Sequence, residues 1–183
     1  HWFQFILNSL LWFITKRAST NDAPLNWLDY ALLALMVFFF VYEALADYQQ
    51  WSFQTSKRQW SESKRTRSSS KYSREEVEDF ERGFLTRGLF KWSRHPNYFG
   101  DLGLWWTVYL FTLSSQYSTL TFSFSSLINW SILAMTIFNF LFQCSTDITE
   151  KLSSKKYPEY KLYQASVWRI VPFFTTYNPK TKK

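Results

Sequence analysis

The longest uncharged stretch of the chain runs from Leu102 to Thr146, 45 consecutive residues without Asp, Glu, Lys or Arg. A pair of soluble helices of this length would need a charged, solvated face. About 20 apolar residues are enough to cross a bilayer, so the stretch has room for two spans, 98–116 and 122–144, with a polar turn at Ser114–Thr121. The sequence therefore predicts a membrane hairpin.

Two further apolar segments precede this hairpin. Segment 27–46 is uncharged from Tyr30 to Tyr42 and carries aromatic residues where an interfacial belt would lie. Segment 1–15 is expected to be the remainder of another span, because the chain begins with His1 and lacks the pattern of a signal peptide. We therefore expect a fragment with an all-α fold, a polytopic transmembrane bundle of about four spans forming one domain over 1–183.

The distribution of Lys and Arg predicts how these spans are oriented. Of the 21 basic residues, eleven lie in 48–97, eight follow Thr146 and two lie in 16–26. Positively charged connections stay on the cytosolic side, which places loop 48–97 and the tail 145–183 there. The net charge of +7 then indicates attraction to anionic lipid headgroups. No nucleic-acid partner is expected, because the basic residues flank spans instead of forming a separate module.

The predicted cytosolic segments differ in composition. Residues 57–74 are basic and rich in Ser, which is typical of a disordered loop. Arg74–Glu81 (REEVEDFE) looks like a short helix with acidic residues near its start. The tail is rich in Tyr and Lys, which favours an amphipathic helix at the membrane interface. Cys144 is the single cysteine, so no disulfide within the chain is expected, and we predict no metal site.

A polar motif, SRHPNYFGD, begins at position 93 directly before the hairpin. Pro96 suits the first turn of a helix, and a helix start offers free N–H groups and a positive dipole end. Arg94 and His95 stand beside that start, so these are the parts of an anion site. Asn97 and Asp101 are four residues apart and share one helix face. The alternative is that Arg94 and His95 contact lipid phosphates while Asp101 pairs with Arg94 or another loop cation.

Three blocks of the sequence carry a resemblance to a known family. They are the helix start SRHPNYFGDLGLWW, the upstream segment Glu43–Phe53 (EALADYQQWSF), and the closing block Ser145–Pro172, which contains Tyr157-Pro158-Glu159-Tyr160. In this order and spacing they resemble the DUF1295 family, which is related to the steroid 5α-reductases and sterol reductases.

The resemblance implies a cofactor and a set of residues that would hold it. In such reductases NADPH binds from the cytosolic side, and hydride passes to a carbon–carbon double bond of a sterol, steroid or other lipid enone. The implied cofactor-binding residues are Asp47, Arg94, His95, Asn97, Tyr98, Asp101, Tyr157 and Tyr160. The resemblance assigns no catalytic residue, because the 5α-reductases carry theirs in the first spans. It also implies residence in the endoplasmic reticulum.

Two alternatives stay open at the level of sequence. Membrane methyltransferases that use S-adenosylmethionine, of the isoprenylcysteine and phospholipid type, share the RHP-x-Y-x-G helix start. They carry Arg-Glu-Glu after the last span, where this chain reads STDITEK from Ser145 to Lys151. The third alternative is a membrane protein without catalytic activity, or a fragment too short to be active. Because Asp147 and Ile148 stand where the 5α-reductases have an Arg, the partner of a 2′-phosphate is left among Lys151, Lys155 and Arg94.

Overall fold

The computed structural model describes residues 24–65, 71–117 and 130–174, together with positions 11, 15 and 19. Over these residues the chain is helical and contains no strand, so the predicted all-α class is confirmed. The helices are α1 (Trp27–Arg65), α2 (Arg74–Arg82), α3 (Pro96–Tyr117), α4 (Trp130–Lys156) and α5 (Tyr160–Ser166), with a 3₁₀ turn at Gly88–Lys91.

Two of these helices contain segments that are long and apolar enough to cross a membrane. They are Trp27–Lys64 in α1 and Ile132–Lys156 in α4, judged by length and composition among the described residues. Helix α3 coincides with the predicted span 98–116, but its crossing of a membrane stays a prediction. The predicted span 1–15 lies almost wholly outside the described residues, as does the start of the span 122–144.

The chain divides into two compact units, the first comprising His1–Val41 and Gly100–Ser145. In its described part, α3 and α4 bury apolar side chains that include Val108, Met135 and Phe138. At one end Asp29 accepts a hydrogen bond from Ser114 Oγ at 2.5 Å. Large apolar side chains such as Val37 and Phe40 of α1 are exposed, which suits a helix whose solvent is lipid.

The second unit comprises Tyr42–Phe99 and Thr146–Lys183. It contains two apolar clusters. In one, Phe53 of α1 packs with Phe80 of α2 and with Leu85 and Phe90 of the connection that follows. In the other, Phe84 packs against the tail through Tyr160, Tyr163 and Val167.

Helix α2 confirms the short helix expected at Arg74–Glu81. Ser73 caps its first turn, and Glu76 completes a capping box by accepting from the backbone N–H of Ser73 at 2.8 Å. The helix ends at Gly83, which adopts φ +97° as a left-handed cap. Close to this end Asp79 is buried and accepts hydrogen bonds from Thr86 and two arginines, which ties the following connection to α2.

The prediction of a disordered loop over 57–74 is wrong for most of its described part. Helix α1 continues through Arg65 because its polar end has partners in the same unit. Trp60 packs on Phe80 with ring centroids 5.6 Å apart, and Lys64 forms an ion pair with Glu81 at 3.3 Å. Beyond the helix, Tyr72 also packs on Phe80. Residues 66–70 lie outside the described part of the chain.

The tail also differs from the expected interfacial helix. Helix α4 extends to Lys156, so the segment predicted as tail from 145 begins inside a continuous helix. Helix α5 has seven residues and buries Tyr160 and Tyr163 in its own unit. Beyond it, the backbone pairs with the start of the SRHPNYFGD motif, where Arg94 N donates to Trp168 O at 2.8 Å and His95 N to Arg169 O at 2.9 Å. These contacts hold the tail against the helix start.

Candidate functional site

The second unit contains a cavity of about 410 Å³, within the roughly 300–1,000 Å³ typical of small-molecule sites. Its wall is formed by Gln50 and Gln54 of α1, the connection after α2, the start of α3, the end of α4 and the tail. The lining residues from the last four segments are Gly83, Phe84, Leu85, Phe90, Arg94, His95, Asn97, Tyr98, Thr149, Leu152, Ser153, Lys156, Tyr157, Tyr160 and Tyr163. Polar donors and acceptors thus alternate with aromatic surface around one space.

Six of the eight residues predicted to bind a cofactor line this cavity, namely Arg94, His95, Asn97, Tyr98, Tyr157 and Tyr160. The other two do not appear in its wall. Asp47 is exposed on α1, and Asp101 is half-buried one turn beyond Asn97 on α3, in the first unit. Their roles stay predictions from the resemblance.

Helix α3 begins at Pro96, as the sequence predicts, and its first turn therefore carries Asn97 and Tyr98 in the cavity wall. Ser93, just before it, is fully buried and donates through Oγ to the backbone carbonyl of Ile170 at 2.6 Å. Backbone and hydroxyl contacts within the protein therefore hold the motif against the tail without any bound ligand.

The carboxylate of Glu150 in α4 binds two side chains of the motif, Arg94 and His95. Arg94 binds it through two nitrogens, Nε to Oε1 at 2.7 Å and Nη2 to Oε2 at 3.1 Å. Gln164 donates to Oε2 at 2.9 Å. Both charged side chains are almost completely buried, with 9% of Arg94 and 4% of Glu150 exposed. A buried pair with two parallel bonds is the arrangement in which neither charge is left uncompensated.

This pairing changes what Arg94 can do. Besides Glu150, its guanidinium donates through Nη1 to the backbone carbonyls of Gln164 and Val167. Its charge is therefore offset and most of its N–H groups are already used. Arg94 holds the end of α5 against the start of α3, and it offers less to an anion than the sequence suggested.

The ring of His95 is oriented by the same carboxylate. Its Nε2 lies 3.1 Å from Glu150 Oε1, and because an ionised carboxylate only accepts hydrogen bonds, Nε2 must carry the proton. In the neutral ring Nδ1 is then an acceptor. The ring also stacks on Tyr98, with centroids 5.2 Å apart and planes 18° apart. Glu150 thus fixes both the tautomer and the orientation of a histidine in the cavity wall.

Three tyrosines of the tail, at positions 157, 160 and 163, reach the cavity in three different states. The hydroxyl of Tyr163 donates to the backbone carbonyl of Phe90, so its proton is already committed. Burial raises the pKa of Tyr160 to about 12, and the negative charge of Glu150 adds to the rise. Burial also acts to raise the pKa of Tyr157, but hydrogen bonds and positive charge from Lys156 and Lys57 outweigh it and lower that pKa below the ordinary value.

Lys57 of α1 was not identified by sequence reasoning, which placed it in the predicted disordered loop. Its ammonium group donates to the carbonyl of Gly83 at 2.8 Å and lies 3.4 Å from the hydroxyl of Tyr157. It also lies 5.0 Å from the centre of the Tyr157 ring, within the range of a cation–π contact. Lys156 approaches the same ring at 5.2 Å. Two cations therefore lie close to the Tyr157 ring.

The arrangement defines a class of protein: a helical chain with two segments able to cross a membrane and, in one unit, a polar aromatic cavity built on the SRHPNYFGD helix start. No group of three metal-ligating side chains occurs within the part of the chain that the structure describes. The profile of the family described as "Protein of unknown function (DUF1295)" matches residues 1–167, so the chain belongs to the DUF1295 family.

A curated relative is an uncharacterized protein of Schizosaccharomyces pombe, to which the chain is 37% identical over 161 residues. The match covers 87% of this chain and 43% of that protein, so the chain spans less than half the length of the relative. No solved structure matches.

Proposed function

We propose that this chain is the cofactor-binding part of an NADPH-dependent membrane oxidoreductase that reduces a carbon–carbon double bond of a sterol, steroid or other lipid enone. The observation that carries the proposal is the shared cavity. Asn97 and Tyr98 come from one block of the resemblance and Tyr157 and Tyr160 from another, about 60 residues away, and all four line the same space. Two blocks that are separate in sequence thus form one wall.

The chemistry of the lining residues fits part of a dinucleotide. The side-chain amides of Asn97, Gln50 and Gln54 can bind a carboxamide or ribose hydroxyls. Tyr98, already stacked on His95, presents an aromatic surface for a ring, and Lys156 provides a cation for phosphate. Since Glu150 offsets the charge of Arg94, we assign Lys156 ahead of Arg94 as a phosphate partner. Asp47 and Asp101 are proposed partners from the resemblance alone.

When bound, NADPH would supply hydride to the alkene. The residues of this chain would bind and orient the reacting groups. Glu150 keeps His95 in one tautomer, with Nδ1 as an acceptor for a hydroxyl or amide of the ligand. Phe84 and Phe90 give part of the wall an apolar surface, and polar interactions beside apolar surface are stronger than in bulk water.

Binding is tested by thermal unfolding of the purified protein in detergent with NADPH, NADH or S-adenosylmethionine. NADPH at about 100 times its dissociation constant should stabilise the protein by about 2.7 kcal/mol. Stabilisation by S-adenosylmethionine alone would favour the methyltransferase alternative and overturn the reductase. Absence of stabilisation by all three ligands would favour the third reading, a membrane protein without this activity.

Variants locate the site. Asn97→Ala, Asp101→Ala and Lys156→Ala should each weaken NADPH binding. Lys161→Ala is the matched control, since it removes an exposed lysine of α5 that does not line the cavity. Equal affinity for NADPH in Asn97→Ala, Lys156→Ala and the control would reject the cavity as the cofactor site.

We further propose a multi-pass protein of the endoplasmic reticulum, with loop 48–97 and the tail on the cytosolic side. The excess of basic residues in these segments supports this orientation. A glycosylation acceptor introduced within 61–73 should stay unmodified in endoplasmic reticulum membranes. Modification of that acceptor would invert the proposed topology.

A further inference from the structure

We propose that Tyr157 is the proton donor of this cavity, and that Lys57 activates it. The phenol would protonate the carbonyl oxygen of a conjugated enone while the double bond is reduced. This inference rests on the proposed function and adds to it a catalytic residue and the group that tunes it.

The first support is the comparison of the three tail tyrosines. A proton donor needs a hydroxyl that lines the cavity and whose proton is not committed elsewhere. Tyr163 gives its proton to the carbonyl of Phe90. Tyr160 also lines the cavity, but burial and the negative charge of Glu150 raise its pKa to about 12, which makes it a weak acid. Tyr157 lines the cavity and has the ammonium group of Lys57 at 3.4 Å from its hydroxyl. Of the three, Tyr157 alone combines a place in the cavity wall with a pKa below the ordinary value.

The second support is that Tyr157 and Lys57 are held in place. Lys57 is anchored by donating to the carbonyl of Gly83 at 2.8 Å. The Tyr157 ring packs on the backbone of the same glycine, where an added Cβ would lie 2.1 Å from ring atom Cε1. Gly83 thus positions both members of the pair. This restricts the motion of the Tyr157 hydroxyl, and a catalytic acid has to be held in a fixed geometry.

The third support is the set of charges around the hydroxyl. Lys57 of α1 and Lys156 of α4 contact Tyr157 directly. Elsewhere in the cavity wall Arg94 is paired with Glu150, to which His95 is also bound. In the tail Glu159 pairs with Arg82 at 3.3 Å. With Lys156 assigned to a phosphate of the cofactor, Lys57 is the cation that stabilises the phenolate remaining after proton transfer.

The step balances in atoms and electrons. Hydride forms a C–H bond at the β-carbon of the enone, and the electron pair of the double bond moves toward the carbonyl oxygen. The O–H bond of Tyr157 breaks and a new O–H bond forms on that oxygen, which gives an enol that tautomerises to the saturated ketone. The alkene is reduced, NADPH is oxidised to NADP⁺, and water returns a proton to the Tyr157 phenolate beside Lys57.

One arm of the test needs neither cofactor nor substrate. Phenolate formation is followed by ultraviolet difference spectroscopy as the pH is raised on the folded protein in detergent. The wild type should contain a tyrosine that ionises below the ordinary range, which Tyr157→Phe removes and Tyr160→Phe retains. Lys57→Met should move that transition to higher pH. If the tyrosine ionisation at low pH persists in Tyr157→Phe, or if Lys57→Met does not change its pH, the proposed pairing of Tyr157 with Lys57 is overturned.

The second arm measures NADPH-dependent reduction of cholest-4-en-3-one in detergent micelles. Tyr157→Phe should lower kcat by about 100-fold or more, the usual range for loss of a general acid, while stabilisation by NADPH persists. Tyr72→Phe is the control, because Tyr72 does not line the cavity and its hydroxyl donates to Gln59, and it should keep the wild-type kcat. Lys57→Met should lower kcat less and move the pH dependence of kcat upward.

The outcomes separate this inference from the proposed function. A Tyr157→Phe variant that binds NADPH and keeps the wild-type kcat overturns the role of Tyr157 and leaves the reductase proposal standing. A wild type that NADPH does not stabilise overturns the proposed function and, with it, this role, whatever the titration of Tyr157 shows.

Discussion

The ring of Tyr157 rests directly on the α-carbon of Gly83. An added Cβ at position 83 would lie 2.1 Å from Cε1 of that ring, and the backbone at Gly83 has φ +97°. Both the space and the backbone angle therefore require glycine at the end of α2. The carbonyl of the same residue accepts from Lys57, so one position determines the geometry of the pair proposed as proton donor.

Substitution at this position should be costly. Gly83→Ala must adopt a left-handed backbone and also displace the Tyr157 ring, so we expect a loss of about 1–3 kcal/mol in unfolding free energy. Denaturant unfolding in detergent measures the loss. In a Tyr157→Ala background the steric part should disappear and only the cost of the backbone angle should persist. An equal cost of Gly83→Ala in both backgrounds would contradict the described packing.

The buried ion pair provides a second prediction. Glu150→Gln leaves the Arg94 guanidinium buried without a counter-charge, and loss of one member of such a pair costs about 3–5 kcal/mol. Asp147→Asn is the matched control, because Asp147 also pairs with an arginine, Arg169, but both side chains are well exposed. The control should cost less than about 1 kcal/mol. Similar losses in the two variants would argue against a buried pair.

Stability at high pH should depend on Tyr160. Its pKa is raised by burial to about 12, above the ordinary value of 10.0 for a tyrosine. The folded state therefore favours the neutral phenol, a contribution fully present below pH 10 and lost as the pH rises from 10 toward 12. A shift of two units corresponds to about 2.7 kcal/mol. Tyr160→Phe should lose less stability over this window than the wild type, and parallel curves for the two would refute the prediction.

The apolar surface of α1 can be tested in membranes. Val37 and Phe40 are about half to two-thirds exposed, which suits contact with lipid tails. Phe40→Asp should weaken insertion by about 2.5–3.5 kcal/mol if the position lies near the bilayer centre. The readout is the fraction that resists carbonate extraction. Ser61→Asp, at the exposed polar end of the same helix, is the control and should extract like the wild type.

Some features of the protein could be read from the sequence because they depend on local patterns. The long uncharged stretch from Leu102 to Thr146 predicted helices, and Pro96 predicted where α3 begins. Ser73 and Glu76 carry the capping box that opens α2. These signals lie within one or two helical turns, so they need no knowledge of what packs against them. The motif residues that line the cavity were found in the same way, through blocks of contiguous sequence.

The partners of those residues were decided by tertiary structure alone. Arg94 finds its counter-charge in Glu150, 56 residues away, and Tyr157 meets Lys57 across 100 residues. The sequence marked Arg94 as an anion ligand and placed Lys57 in a disordered loop, because neither partner is within local reach. A buried charge is stable only where another segment brings a compensating group. Which segment does so depends on how the chain folds back on itself, which no local pattern records.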